Sequence, residues 1–179
     1  MPSDRAWSRR AWLQTAGAAA LGAGLGSPAH EAHAASLEVG RPAPALVLRT
    51  IDGHSISTED LRGHVVILTF WATWCGPCHQ ELPLLSDYAA KHADRGLRVL
   101  GFSLDEPAAL PEVREMAAAW SFPVGLLGSA YAGGYGRVWR IPVNFTIDRN
   151  GLLADNGWDS REPAWTTERL ERIVTPLLR

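Results

Sequence analysis

Phe70-Trp71-Ala72-Thr73-Trp74-Cys75-Gly76-Pro77-Cys78 is the stretch that decides how this chain folds, because a strand-like run leads straight into two cysteines at the mouth of a helix. Just upstream, Val65-Val66-Ile67-Leu68-Thr69-Phe70 is almost unbroken in β-branched and apolar residues, the pattern of a central strand covered on both faces. Pro77 suits the first turn of a helix, where a missing N–H removes no hydrogen bond. Cys75 then falls at the helix N-terminus, where unsatisfied amides and the macrodipole stabilise a thiolate and draw its pKa below the free-thiol value of roughly 8.5. Cys78 follows one helical turn later, within reach of a disulfide. That spacing has a chemistry: Cys75 attacks a disulfide and Cys78 resolves the mixed intermediate. Trp71 and Trp74 are expected to wall the site with rigid apolar surface.

Outward from this motif, Ala45-Leu46-Val47-Leu48 and Ser55-Ile56-Ser57 flank the turn signal Asp52-Gly53 and predict a small N-terminal hairpin. Downstream, Leu82, Leu85, Ala89 and His92 recur at helical spacing to about Ala93, with a kink expected at Pro83. Leu97 to Leu104 reads as a second buried strand, and Asp105-Glu106-Pro107 as an acidic cap opening a helix toward Ala119. Phe122-Pro123-Val124 is a short extended piece. Val143-Asn144-Phe145-Thr146-Ile147 and Leu152-Leu153-Ala154 flank Asp148-Arg149-Asn150-Gly151, a hairpin signal. Thr166 to Leu178 closes the chain as an amphipathic helix with Leu170, Ile173, Val174 and Leu177 on one face. Strand, helix, strand, hairpin and helix in that order predict an α/β layer sandwich.

The N-terminal stretch reads differently. Arg9-Arg10 precede an uncharged Ala/Gly/Leu stretch from Leu13 to Ser27, and the small-residue site Ala32-His33-Ala34 follows. Charge, apolar segment and cleavage site in that order predict a secretory signal over residues 1–34 and a periplasmic domain over 35–179. The paired arginines resemble a twin-arginine export signal, although Trp12 and Gln14 depart from its usual Phe and Lys. The alternative is a basic N-terminus that addresses the chain nowhere. Of 179 residues, 46% are hydrophobic and 20% charged, and the net charge is -2, which disfavours a nucleic-acid partner. The chain has two cysteines, Cys75 and Cys78. A disulfide across so short a loop restrains little chain entropy, so its value is chemical rather than mechanical. A monomer is expected.

The cysteine motif resembles the thioredoxin superfamily. The longer pattern, from Gly40-x-Pro42-Ala43-Pro44 through the motif to Glu81-Leu82-Pro83-Leu84, is similar to the TlpA/ResA branch of bacterial extracytoplasmic disulfide reductases, which often serve cytochrome c maturation. The resemblance implies a thioredoxin-like three-layer sandwich with a central mixed sheet. It also implies a protein disulfide reductase with no cofactor beyond the Cys75–Cys78 pair, exported protein disulfides as substrates, and a membrane thiol donor that supplies electrons. Carried over residue by residue, it places Glu81 as a proton acceptor for Cys78, one turn on along the same helix face. The competing reading of Glu81 is a solvated first-turn carboxylate that suits the helix dipole. Where thioredoxins keep a buried Asp on the strand before the cysteines, this chain has Thr69. The resemblance further implies that Pro142 is a cis-proline facing the disulfide. Trp74, Gly76, Pro77, Ile141 and Pro142 would then contact substrate, with the Ile141 backbone pairing to an incoming strand. Such families often carry Thr after that proline, and Val143-Asn144 departs from this.

Three other readings compete. Cys75-Gly76-Pro77-Cys78-His79 also satisfies C-x-x-C-H, a haem-attachment pattern, with Met116 as a candidate distal ligand. The preceding buried strand, the tryptophans and the helix-opening proline count against it and leave His79 as a surface residue able to tune the thiolate. A thiol peroxidase of the peroxiredoxin type shares the fold, but it would want Pro-x-x-x-Thr-x-x-Cys, whereas Thr73 is two before Cys75 and position 71 is Trp. A zinc site would need four ligands, and two thiols with scattered histidines do not make one, so no metal is expected.

Overall fold

The computed structural model describes residues 37–179. The signal expected over residues 1–34, and with it the domain boundary, lies outside the described residues. The strands are β1 (Val47–Arg49), β2 (Ser55–Ser57), β3 (Val65–Trp71), β4 (Leu97–Ser103), β5 (Val124–Leu126), β6 (Val143–Ile147) and β7 (Leu153–Asn156). The α-helices are α1 (Gly76–His92), α2 (Leu110–Ala117) and α3 (Thr167–Ile173). β1 and β2 form a separate antiparallel hairpin, and the remaining strands make one sheet in the order β5-β4-β3-β6-β7. The sheet is mixed: β3 runs parallel to β4 and antiparallel to β6.

Alternation along β3 sorts the core into two halves. Val65, Ile67 and Trp71 pack with Cys75, Cys78, Leu82 and Leu85 from α1, Val113 from α2, and Leu170 and Val174 at α3. Val66, Leu68 and Phe70 point the other way, toward Leu48 of the hairpin and Tyr135 and Val138 of the loop before β6. Helices, sheet, and hairpin-plus-loop are the three layers, so the thioredoxin-like sandwich is the observed fold. On the hairpin side Phe70 stacks on Phe102 with centroids 5.2 Å apart and meets Phe145 edge-on at 5.9 Å. The hairpin reaches the sheet closely at Gly125, where any Cβ would collide with the Arg49 carbonyl oxygen.

Prolines account for most differences from the expected elements. The helix opening at Pro107 does not run unbroken: a 3-10 turn, Pro107–Ala109, gives way to α2 from Leu110. Pro111 lacks the N–H that would join the two. The terminal helix stops at Ile173 and resumes as a 3-10 turn, Thr175–Leu178, where Pro176 removes a donor. Pro83, by contrast, lies within α1, a helix of 17 residues that continues past it to His92. The β6–β7 turn forms where Asp148-Arg149-Asn150-Gly151 predicts it. Asp148 Oδ1 accepts the Asn150 and Leu152 amides at 2.9 and 2.8 Å, and Gly151 supplies φ of 80°. The paired strand is β7, which starts at Leu153 and extends to Asn156, beyond the expected Ala154.

Candidate active site

β3 ends at Trp71, and the chain turns through Ala72, Thr73 and Trp74 to Cys75, which caps α1. Cys75 and Cys78 are joined in a disulfide with Cα atoms 5.3 Å apart. The Cys75 sulfur also accepts the Cys78 amide at 3.3 Å, so the attacking sulfur expected from sequence sits on the free N–H groups of the helix. Cys78 is fully buried and Cys75 retains 4% exposure. Of the two sulfurs, Cys75 is thus the one less covered by the fold. Around it Trp74, Gly76 and Pro77 are exposed, Trp74 by 69%. Trp71 is not a wall of the site: it is wholly buried, because β3 turns it toward the helices, and it packs edge-on against Trp120 with centroids 4.8 Å apart. Met116 is half-buried against the same core.

One turn beyond Cys78, Glu81 is 2% exposed and so is no solvated carboxylate. Its Oε2 accepts the Trp165 backbone amide at 2.6 Å, the Asn144 side-chain amide lies 3.2 and 3.3 Å from its two oxygens, and the Thr69 hydroxyl is 3.4 Å from Oε1. Burial outweighs these donors and the positive field of Arg169, and the Glu81 pKa rises to about 7. β3 and β6 place the cage, since Thr69 and Asn144 are register partners across the sheet. Arg169, itself buried, is anchored by Asp155 at 2.6 Å and lies 4.2 Å over the Trp165 ring.

Asn144 and its neighbour Val143, where the resemblance leads one to expect Thr, are both fully buried: Asn144 reaches Glu81, and Val143 packs on the hairpin side of the sheet. The Ile141–Pro142 bond is cis. Pro142 is buried and Ile141 half-buried, one step past the Phe70–Val143 pair, at the sheet end where β3 delivers the cysteines. Asn144, the Trp165 amide, Arg169 and Asp105 are partners that sequence reasoning did not supply. Asp105 reads there as a helix cap, yet both its oxygens bond to Thr73. The sequence signals for them are weak: Trp165 acts through its backbone, and Arg169 looks like any charge on an amphipathic helix.

Two sizeable hollows, one beside Tyr88, His92 and Thr175 and one beside Ala89, Leu97 and Phe122, are lined by neither cysteine.

The sequence pattern of the AhpC/TSA family matches residues 39–156. The thiol-disulfide oxidoreductase ResA of Bacillus thuringiensis (strain Al Hakam) is 31% identical over 120 residues, covering 66% of this chain and 69% of that one. ResA of B. thuringiensis subsp. konkukian (strain 97-27) is 31% identical over 139 residues, covering 77% and 80%. Among solved structures, a Chlorobium tepidum protein provisionally described as the thiol:disulfide interchange protein DsbE superposes with a TM-score of 0.67 at 31% identity. It covers 80% of this chain and 100% of its own. A thioredoxin-family thiol:disulfide interchange protein from C. tepidum TLS gives a TM-score of 0.67 at 27% identity, covering 78% and 97%.

Proposed function

This chain belongs to the AhpC/TSA family and is a thiol-disulfide oxidoreductase of the ResA type, and from that premise we propose that it reduces disulfides of exported proteins outside the cytoplasm. The observation that carries the reading is the pairing of a reachable, helix-capping Cys75 with a sealed Cys78 and a buried Glu81 one turn on. The reduced enzyme begins as a Cys75 thiolate and a Cys78 thiol. Cys75 attacks one sulfur of the substrate disulfide, forms the mixed disulfide and releases the first substrate thiolate. Ionised Glu81 takes the proton from Cys78. The Cys78 thiolate then attacks the Cys75 sulfur, closes the Cys75–Cys78 bond and releases the second substrate thiolate. Two electrons pass from enzyme to substrate, and a membrane thiol donor restores the dithiol.

The reducing direction is supported by Gly76-Pro77 between the cysteines, as in reducing thioredoxins, and the export by the Arg9-Arg10 leader pattern. An apocytochrome c is the substrate class we place first, on the strength of the TlpA/ResA resemblance. Trp74, Gly76, Pro77, Ile141 and Pro142 form the substrate contact, and the enzyme acts as a monomer. A redox titration of the protein, followed through tryptophan fluorescence, tests the direction. A two-electron midpoint near thioredoxin's roughly -270 mV is expected, and one near roughly -120 mV would recast the protein as a disulfide-forming oxidant.

A further inference from the structure

We infer that Asp105 is a positioning residue for the exchange reaction: together with His79 it clamps Thr73 from two sides and so presents the Trp74–Cys75 turn to an incoming disulfide. Residues 72–75 are the stretch between β3 and α1 that belongs to neither element, and every hydrogen-bonding atom of Thr73 within it is engaged. From the β4 side, Asp105 Oδ2 accepts the Thr73 amide at 2.9 Å and Asp105 Oδ1 accepts its hydroxyl at 2.7 Å. From the α1 side, the His79 ring nitrogen Nε2 lies 2.7 Å from the Thr73 carbonyl oxygen and donates to it.

Asp105 is itself locked. Ser103 Oγ donates to Asp105 Oδ2 at 2.6 Å and accepts the Asp105 amide at 3.0 Å, and the carboxylate is 5% exposed. A buried carboxylate is costly unless its partners are good, and these are short, charge-assisted bonds. None of them serves the following helical turn, whose cap residue Glu106 makes no side-chain capping bond. Both Asp105 oxygens instead accept from Thr73, the residue two before Cys75. The backbone adds two more ties, Leu104 N–H to Trp71 carbonyl at 2.8 Å and Cys75 N–H to Ala72 carbonyl at 3.1 Å. In-line attack at sulfur is sensitive to small misplacements, so a turn fixed in advance spares the reaction an ordering step.

This role rests on Cys75 being the exchanging sulfur. The test compares wild type, D105A, T73V and T73S in stopped-flow reduction of the disulfide by dithiothreitol, which supplies two electrons and closes to its own cyclic disulfide. A disulfide-bonded peptide is the second probe, and thermal melting of each variant runs alongside. D105A and T73V should each slow exchange about tenfold, and T73S, which keeps both the amide and the hydroxyl, should return to within about twofold of wild type. Melting temperatures that fall while rates per folded molecule hold at the wild-type value would overturn the proposal. If D105A does not fold, the T73V and T73S pair decides alone. A wild-type protein inert toward both probes would remove the dithiol reading itself, and this role with it, which is a different result from active variants.

Discussion

Two carboxylates are buried beside the cysteine motif, and they are held in different ways. Asp105, behind the turn, is met by two hydroxyls at 2.6 and 2.7 Å and an amide at 2.9 Å. Glu81, one helical turn on from Cys78, has one short donor, the Trp165 amide at 2.6 Å, and otherwise an amide and a hydroxyl at 3.2 to 3.4 Å. Close, complete donation makes a brace. Longer donor contacts under full burial leave desolvation the larger effect, and the Glu81 pKa stands at about 7. On the proposed reading one residue class performs a mechanical task and a proton-handling task within one site, and what distinguishes the two carboxylates is how closely their donors approach.

The sharpest way to break this contrast is E81Q. If Glu81 takes the Cys78 proton, the Cys78-dependent step should slow by about a hundredfold, in the range for a lost general base, as read by mixed-disulfide accumulation in a quench assay. In wild type that step should rise with pH through about 7, as Glu81 ionises, and E81Q should lack the rise. D105N should keep the rise and lose only amplitude. A pH profile for E81Q that matches wild type would sink the proton role.

Next in size is an effect on stability. The folded Glu81 pKa is raised from 4.5 to about 7, so between those values the native state holds more protons than the unfolded chain. Stability must then fall as pH rises from about 4.5 through 7, by an order-of-magnitude 3 kcal/mol from this group. Urea titrations of the oxidised protein at pH 5 and pH 8 measure it, and E81Q should show a flatter difference between the two. Smaller again, N144L removes a donor that lowers the Glu81 pKa, and should move the midpoint of the wild-type rate profile upward by up to about one unit. The least effect is expected from W74A: an exposed residue outside both cages should weaken exchange with a disulfide peptide about threefold and leave the pH midpoint in place.

The brace and the proton pocket were unequally legible in the sequence. Glu81 lies one helical turn from Cys78, so helix periodicity and the family resemblance both point to it. Its burial follows from β3, β6 and the segment at Trp165 closing over it, which residue type does not announce. Asp105 is 32 residues from Thr73. Only the parallel pairing of β3 with β4 brings the two together, and an acid before Pro107 reads locally as a helix cap. The central strands and the cysteine turn were readable because pattern and chemistry agree there. The ends of α2 and α3 were not, because Pro111 and Pro176 outweighed an apolar periodicity that pointed onward. Trp71 misled for a related reason: a tryptophan beside a reactive cysteine suggests a wall, while its place on β3 commits it to the core.

β3 alternates, and this gives the motif a parity. Thr69 and Trp71 fall on the helix side while Phe70 falls on the hairpin side. Removing or inserting one residue within β3 upstream of Thr69 would swap odd for even, carrying Thr69 away from Glu81 and aiming the cysteine turn at the wrong layer. A change of two residues would keep the sides and shift only the depth of the strand. Length variation in this strand should therefore be tolerated in even steps, and a library of one- and two-residue deletions would sort by that rule before any side chain is considered.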